Sequence, residues 1–241
     1  PPPPPPPPPF PSRRRHTRSL VPSRGLGDVY KRQAYVLRSA LPHFPKGSIH
    51  LVAVDSVANQ DNGYLAVQLE DHFFLLPDHG MLGLLSEQEP QMVVSLPIPG
   101  EKPGVFPSLE VMVSAAIDLV NGKSIEDLGT PTTEYHKMLG RQMRVLKDEI
   151  IGHVLRVDHY GNLITNIQQQ EFCKLSQGKN FTILIGREHF RQVHQSIRET
   201  GSGDCFVLFN SMGLLEIGIN KGNASELMGL QFDSPIKITF H

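Results

Sequence analysis

Residues 150–166 of the 241-residue chain read IIGHVLRVDHYGNLITN. Apolar and β-branched residues stand on both sides of a Tyr-Gly-Asn sequence. They predict two strands joined by a tight turn, because Gly and Asn tolerate positive φ. Short apolar runs separated by turn residues continue to the end of the chain, with few helix signals: FTILIG, CFVLFNSMG, LLEIGIN and PIKITF. This spacing predicts a small antiparallel β-barrel over residues 149–241.

The preceding part of the chain mixes strand and helix patterns. The sequence SIHLVAVDS predicts a buried strand that delivers Asp55 at its carboxyl end. Two further apolar runs flank Asp71 as the arms of a hairpin would, and LEVMVSAAIDLV carries apolar side chains at helical spacing before an Asn-Gly stop. We therefore predict the α/β class, with a layered α/β domain over residues 34–135 and a linker over 136–148 that leads to the barrel.

The first 33 residues have an unusual composition: nine prolines followed by FPSRRRHTRSLVPSRGLGDVYKRQ. A polyproline arm with a basic patch is one interpretation. However, the codons for residues 28–33 resemble a transposon end used in sequencing libraries, and the preceding residues fit adapter sequence in the same frame. We therefore expect residues 1–33 to be translated adapter and disordered, with the natural chain starting near Ala34 and its native N-terminus missing.

Composition excludes several classes of protein. The formal net charge of −1 gives no electrostatic reason to expect a nucleic-acid partner. No run approaches the roughly 18 consecutive apolar residues of a membrane-spanning helix. The two cysteines, Cys173 and Cys205, lack metal-ligand spacing. They fit a reducing compartment and predict a cytoplasmic protein without a metal site.

Polar groups concentrate in two stretches of the predicted barrel. DHYGNLITN begins at Asp158, and NSMGLLEIGINKGNA begins at Asn210. A hairpin turn is the simpler interpretation of the first stretch, and turn chemistry explains part of the second. It does not account for Glu216 within an apolar run, where an ionised carboxylate is costly unless it meets a cation or hydrogen-bond donors. An ammonium group of a ligand would suit Glu216.

These two stretches, together with FPKGSIHLVAVDS and PDHG, resemble motifs of the S-adenosylmethionine (SAM) hydroxide adenosyltransferase family. The resemblance implies a three-layer α/β domain joined to a β-barrel, and a homotrimer with its site between subunits. It also implies attack of water or hydroxide on the ribose 5′ carbon of SAM, giving adenosine and L-methionine without a metal or redox cofactor. Halogenating relatives use halide as the nucleophile.

The resemblance also implies roles for individual residues. Asp158 and Asn162 would hold the methionine or adenosine portion of the substrate. The adenine or amino-acid ends would be contacted by Asn210, Ser211 and Glu216. Which residue contacts which group stays open at this stage.

The catalytic set of the family is only partly matched. Asp55 stands at the position of its aspartate, but Asn62 stands at that of its arginine and Pro107 at that of its histidine, with Glu110 at that of the aspartate in the same motif. Positioned acid–base groups are commonly worth about 10²–10⁴ in rate, so this departure puts hydrolysis in question. A histidine near Asp55 in sequence could substitute; the candidates are His50, His72 and His79.

Three functions therefore remain to be weighed. The first is a SAM hydrolase with Asp55 as its remaining catalytic candidate. The second is a SAM- or adenosine-binding protein that has lost the chemistry. The third, a nucleic-acid-binding barrel, ranks last, since the chain has no Trp and only five Tyr for base stacking.

Overall fold

The computed structural model describes residues 26–54, 63–86, 88–98 and 106–241. The chain is built on two sheets, a five-stranded one in the N-terminal half and an eight-stranded one in the C-terminal half. Among the described helices, none combines the length and the apolar character needed to cross a membrane.

The N-terminal sheet contains β1 (Ile49–Leu51), β2 (Tyr64–Leu69), β3 (His72–Pro77), β4 (Met92–Leu96) and β5 (Thr130–Pro131), in the spatial order β1-β3-β2-β4-β5. β1 and β3 are parallel, and the other neighbours are antiparallel. The predicted hairpin is confirmed as β2 and β3. Its two turn residues, Glu70 and Asp71, have φ of 50° and 63°, as a two-residue turn with both φ positive requires.

Helices cover both faces of this sheet. α1 (Leu26–Ala40) and α2 (Leu82–Leu85) pack on one face and α3 (Pro107–Val120) on the other. Short 3-10 helices follow α1 at Leu41–His43 and α3 at Ile125–Leu128. The alternation of side chains along β2 explains the three layers, because Leu65 and Val67 pack towards α1 while Tyr64 and Ala66 pack towards α3. The predicted layered α/β architecture is confirmed.

α1 begins at Leu26, within the stretch that was expected to be disordered. Tyr30, Ala34 and Leu37 recur at helical spacing and pack onto the sheet, with Tyr30 only 5% exposed. The expectation of disorder is therefore wrong for residues 26–33, because one apolar helix face runs through the position where the natural chain was expected to start. The expectation for residues 1–25 lies outside the described residues.

The C-terminal sheet is a nearly closed antiparallel barrel. Its strands are β6 (Arg144–Val145), β7 (Glu149–Val157), β8 (Leu163–Gln168), β9 (Phe181–Ile185), β10 (Glu188–Phe190), β11 (Cys205–Phe209), β12 (Leu214–Ile219) and β13 (Pro235–Phe240). Their order is β10-β9-β13-β7-β8-β12-β11, with β6 beside β7. Two short helices, α4 (Gln169–Ser176) and α5 (Ala224–Met228), and a 3-10 turn at Ile197–Glu199 lie between the strands. Inward-facing residues such as Ile150, Ile183, Ile217 and Ile238 form one buried core, which confirms the predicted barrel.

The segment between the two halves contains one structured element that the sequence did not predict. β6 lies within residues 136–148, the predicted linker, and pairs with β7. The domain boundaries themselves stay predictions.

Candidate active site

The first polar cluster of the barrel is the turn between β7 and β8. The carboxylate Oδ1 of Asp158 accepts hydrogen bonds from the backbone N–H groups of Tyr160 and Asn162 at 2.8 and 2.9 Å. The side-chain amide of Asn162 donates to Oδ2 of Asp158 at 3.1 Å. Gly161 has a φ of 84°, and a Cβ atom there would overlap the side chain of Asn223. The predicted tight turn is confirmed, and it holds both polar side chains in place.

The second cluster is the turn between β11 and β12. Oδ1 of Asn210 accepts from the backbone N–H groups of Met212 and Leu214 at 3.0 and 3.2 Å, while its Nδ2 donates to Oε2 of Glu216 at 3.2 Å. Ser211 lies exposed at the tip of this turn. Asn210 therefore links the turn to the carboxylate on β12.

The two clusters meet at Glu216. This side chain is half-buried, and burial raises the pKa of its carboxyl group. The hydrogen bond from Asn210 opposes that shift, and the negative charge of Asp158 adds to it. The structure therefore links Asn162 to Asp158 and Asn210 to Glu216, and the charge of Asp158 acts on Glu216. The roles of these residues in substrate binding stay predictions. Carboxylates that are drawn out of water beside each other favour a cation between them.

Two members of this cluster, Arg156 and Tyr35, were missed by the sequence analysis. Arg156 on β7 and Glu216 on β12 both pair in register with Ile164 of β8, so they lie on the same face of the sheet. The guanidinium of Arg156 lies 5.2 Å from the ring centre of Tyr35 on α1. Burial raises the pKa of the Tyr35 hydroxyl, which also hydrogen bonds to Asn210. Arg156 could have been found, because it stands two residues before Asp158 in an alternating strand; Tyr35 could not.

A cleft of about 650 Å³ lies beside this cluster, between the barrel and the N-terminal half. Tyr35 and Arg38 of α1 line one side, and Met212 and Leu214 of the barrel line the other. Nδ1 of His153, another lining residue, is buried without a hydrogen-bond partner among the described residues. Tyr35 thus borders both the cleft and the polar cluster.

The catalytic candidate Asp55 lies outside the described residues, as does Asn62. The residues that bracket this segment are described. The imidazole Nε2 of His79 is 2.9 Å from the carbonyl oxygen of Val54, and the backbone N–H of Asp78 donates to the carbonyl of Gly63 at 3.0 Å. The PDHG motif, residues 77–80, therefore ties together the two ends of the segment that carries Asp55.

The three histidines proposed as substitutes have other contacts. Nε2 of His50 lies 3.2 Å from Nδ1 of His72, and the ring of His50 stacks on Phe74. His72 begins β3, so this pair lies away from the carboxyl end of that strand, where the PDHG motif follows. His79 stacks on Tyr30, with ring centres 4.3 Å apart, and both of its ring nitrogens are engaged. That one of these three takes the place of the family histidine stays a prediction, and their contacts do not support it.

A different histidine lies beside the PDHG motif. Nδ1 of His136 is 3.0 Å from Oδ2 of Asp78, and the backbone N–H of His136 donates to Oδ1 of the same carboxylate at 2.8 Å. Asp78 is buried, whereas 62% of the His136 side chain is exposed. Residue 136 follows an irregular stretch with no periodic pattern, so no sequence signal pointed to it.

The chain is thus a layered α/β half followed by an antiparallel barrel. The barrel carries two carboxylates, each hydrogen-bonded to a side-chain amide. The sequence profile of the SAM hydroxide adenosyltransferase N-terminal domain matches residues 29–129, and that of the C-terminal domain matches residues 152–237. The chain therefore belongs to the SAM hydroxide adenosyltransferase family, as the motifs predicted.

Individual relatives agree with this assignment. The chain is 28% identical to an (R)-S-adenosyl-L-methionine hydrolase of Thermus thermophilus, over 86% of this chain and 82% of that protein. It is 27% identical to a protein of the same name from Methanocaldococcus jannaschii, over 86% and 77%.

Solved structures share the fold. An uncharacterized conserved protein from Thermotoga maritima superposes with a TM-score of 0.73 at 25% identity, covering 88% of this chain and 84% of that one. A conserved hypothetical protein from Thermus thermophilus superposes with a TM-score of 0.66 at 27% identity, covering 88% and 82%.

Proposed function

We propose that this protein hydrolyses SAM to adenosine and L-methionine. The observation that carries the proposal is the half-buried carboxylate of Glu216, which accepts a hydrogen bond from Asn210 and is close enough to Asp158 for the two negative charges to interact. SAM is a cation with an ammonium group and a sulfonium group, and a site with two adjacent carboxylates favours such a ligand electrostatically. The hydrolase names of the relatives from Thermus and Methanocaldococcus support the same reaction.

The chemistry is an in-line displacement at the ribose 5′ carbon. The sulfonium substrate already carries its leaving group, so the protein must exclude bulk water, orient the attacking water and remove its proton. In this proposal Asp158 and Asn162 hold one portion of the substrate, while Asn210, Ser211 and Glu216 contact the other. Asp55 is the catalytic candidate in the segment between Val54 and Gly63.

We further propose a homotrimer whose site lies between subunits. Support comes from the outer face of α3 and the residue before it, where Phe106, Leu109, Ile117 and Val120 are between 55% and 75% exposed. They recur at helical spacing and form one apolar stripe, which is typical of a surface that another chain covers. Two cysteines without a disulfide support the cytoplasmic location that the sequence predicted.

The first test is to incubate the protein with SAM and follow adenosine and methionine by chromatography, with a calorimetric titration in parallel. We expect both products in equal amounts. Glu216→Gln should weaken SAM binding by about 10- to 100-fold, because a hydrogen bond to a charged group contributes about 1.5–3 kcal/mol. Glu188→Gln, at an exposed glutamate elsewhere on the barrel, is the matched control and should bind as the unchanged protein does.

The alternative is a SAM-binding protein without turnover, which the mismatches at Asn62 and Pro107 favour. Binding without either product would establish this alternative and contradict the hydrolase. A 5′-halogenated nucleoside in place of adenosine, formed only when halide is added, would assign halide as the nucleophile. If SAM neither binds nor reacts, the family fold serves another ligand.

A further inference from the structure

The chain segment that connects the two halves is fastened to the N-terminal domain at four successive residues. Tyr135 and Lys137 both bind Glu89, through a hydroxyl at 3.3 Å and an ammonium at 2.9 Å. The backbone N–H of Met138 donates to the carbonyl of Gly80 at 2.9 Å. Between them, His136 binds Asp78 through both its backbone and its ring. The imidazole of His136 is therefore held in a defined position, although most of its surface is exposed.

The two contacts with Asp78 decide which nitrogen of the ring is available. An ionised carboxylate only accepts hydrogen bonds, so Nδ1 of His136 carries the proton that it shares with Oδ2. Nε2 of the neutral ring is then an unprotonated acceptor, and 62% of the side chain is exposed. A carboxylate that fixes the tautomer and the orientation of an imidazole in this way is the arrangement of histidine general bases in many enzymes.

The dyad lies at the carboxyl end of a parallel strand pair. β1 and β3 are parallel neighbours, so their carboxyl ends meet at one edge of the sheet. β1 leads to Val54, and β3 leads directly to Asp78. In open α/β sheets, ligands bind outside the carboxyl ends of parallel strands, and β1 and β3 form the one parallel pair among the described strands of this sheet. The backbone N–H of Asp78 also donates to the carbonyl of Gly63, just before β2.

We infer that His136 is the general base of the reaction and that Asp78 is its positioning residue. The inference rests on the proposed hydrolysis of SAM. It supplies a base in place of the family histidine, whose position holds Pro107 in this chain. The oxygen of the attacking water forms a bond to C5′ as the bond from C5′ to sulfur breaks. The electron pair of that bond stays on sulfur and gives the neutral thioether of methionine. The proton of the water passes to Nε2 of His136 and from there to solvent.

A purely structural role for the dyad makes different predictions. In that case His136 and Asp78 would only fasten the connecting segment, together with the contacts of Lys137 and Met138. Loss of the imidazole would then change stability or substrate binding, and an external base could not restore the rate. The test must therefore separate kcat from binding and include chemical rescue.

The experiment compares the full chain with His136→Ala and Asp78→Asn in SAM hydrolysis from pH 5 to 9, with and without added imidazole. We expect His136→Ala to lower kcat by about 10²- to 10⁴-fold while SAM binds as before. The acidic limb of the rate profile should disappear, and imidazole should restore part of the rate. In Asp78→Asn, kcat should fall towards that of His136→Ala. His189→Gln, which alters an exposed histidine of the barrel, should leave the rate and the profile unchanged.

The outcomes separate this inference from the proposed function. If the unchanged protein releases methionine and His136→Ala does so within twofold of that rate, His136 is not the base, although the hydrolase stands. A slow His136→Ala that imidazole does not rescue and that binds SAM weakly would also overturn the assignment, in favour of a structural role. If the unchanged protein binds SAM without turnover, the proposed function and the base both fail. Because His136 is largely exposed, a melting curve should show that His136→Ala is folded.

Discussion

At the scale of single residues, two turns of the barrel are organised by short side chains that bind the backbone around them. Asp158 and Asn210 each accept two backbone N–H groups with one side-chain oxygen. These contacts are local Asx turns, which residue type and spacing can predict. The remaining polar atoms of the two side chains hold Asn162 and Glu216. The same residues therefore form the turns and hold the candidate binding groups in place.

Gly161→Ala tests how strictly this turn depends on glycine. The φ of 84° disfavours any side chain, and the new Cβ would overlap Asn223. We expect the free energy of unfolding to fall by about 2–4 kcal/mol, measured by urea denaturation. Gly178→Ala is the matched control, since Gly178 also has positive φ, 70°, but open space around it. It should cost only about 1 kcal/mol, the strain of the backbone alone. Equal losses in the two variants would show that Asn223 moves aside at no cost.

At the scale of secondary-structure elements, adjacent strands of the N-terminal sheet bring together residues that are far apart in sequence. β1 and β3 run parallel, which places His50 beside His72 at 3.2 Å. Burial is the main cause that lowers the pKa of His50, and the charge that His72 acquires adds to it. The ion pair of Lys46 and Asp71 lies next to His72 in the fold. This pair of strands should therefore respond to acid.

The sign of the response follows from the lowered pKa. A histidine whose pKa is lower in the folded state than its usual value of about 6.5 stabilises the fold above that pH. The contribution is lost as the pH falls below 6.5 and towards the folded-state pKa. We expect the free energy of unfolding of His50→Gln to fall less between pH 7.5 and 5.5 than that of the unchanged protein. His189→Gln should behave as the unchanged protein does; equal pH responses for all three would contradict the assignment.

At the scale of the whole molecule, both halves carry candidate functional groups. Asp158 and Glu216 belong to the barrel, while Asp78 follows β3 of the N-terminal sheet. In a site assembled between subunits, groups of one half would meet groups of the other half in a neighbouring subunit. The apolar stripe on α3 is the surface that favours such an assembly.

Sedimentation of the full chain tests this assembly. We expect a trimer for the unchanged protein and smaller species for Ile117→Glu, because a charge in a buried apolar contact is costly. Leu227→Glu, at a leucine that is 71% exposed on α5, is the control and should stay trimeric. SAM turnover should be lost together with the trimer. A monomer that is fully active would show that the site lies within one chain.

The sequence predicted the layered α/β half and the barrel, because strand and helix periodicity and the turn residues between β7 and β8 are local features. The resemblance of its motifs implied the three layers and the polar residues around Glu216. The sequence did not predict the first turns of α1, where Tyr30 packs against the sheet and stacks on His79. Nor could it pair Asp78 with His136, or Tyr35 with Arg156. Those contacts join residues that are far apart along the chain, and only the packing of helices, strands and connecting segments decides such distances.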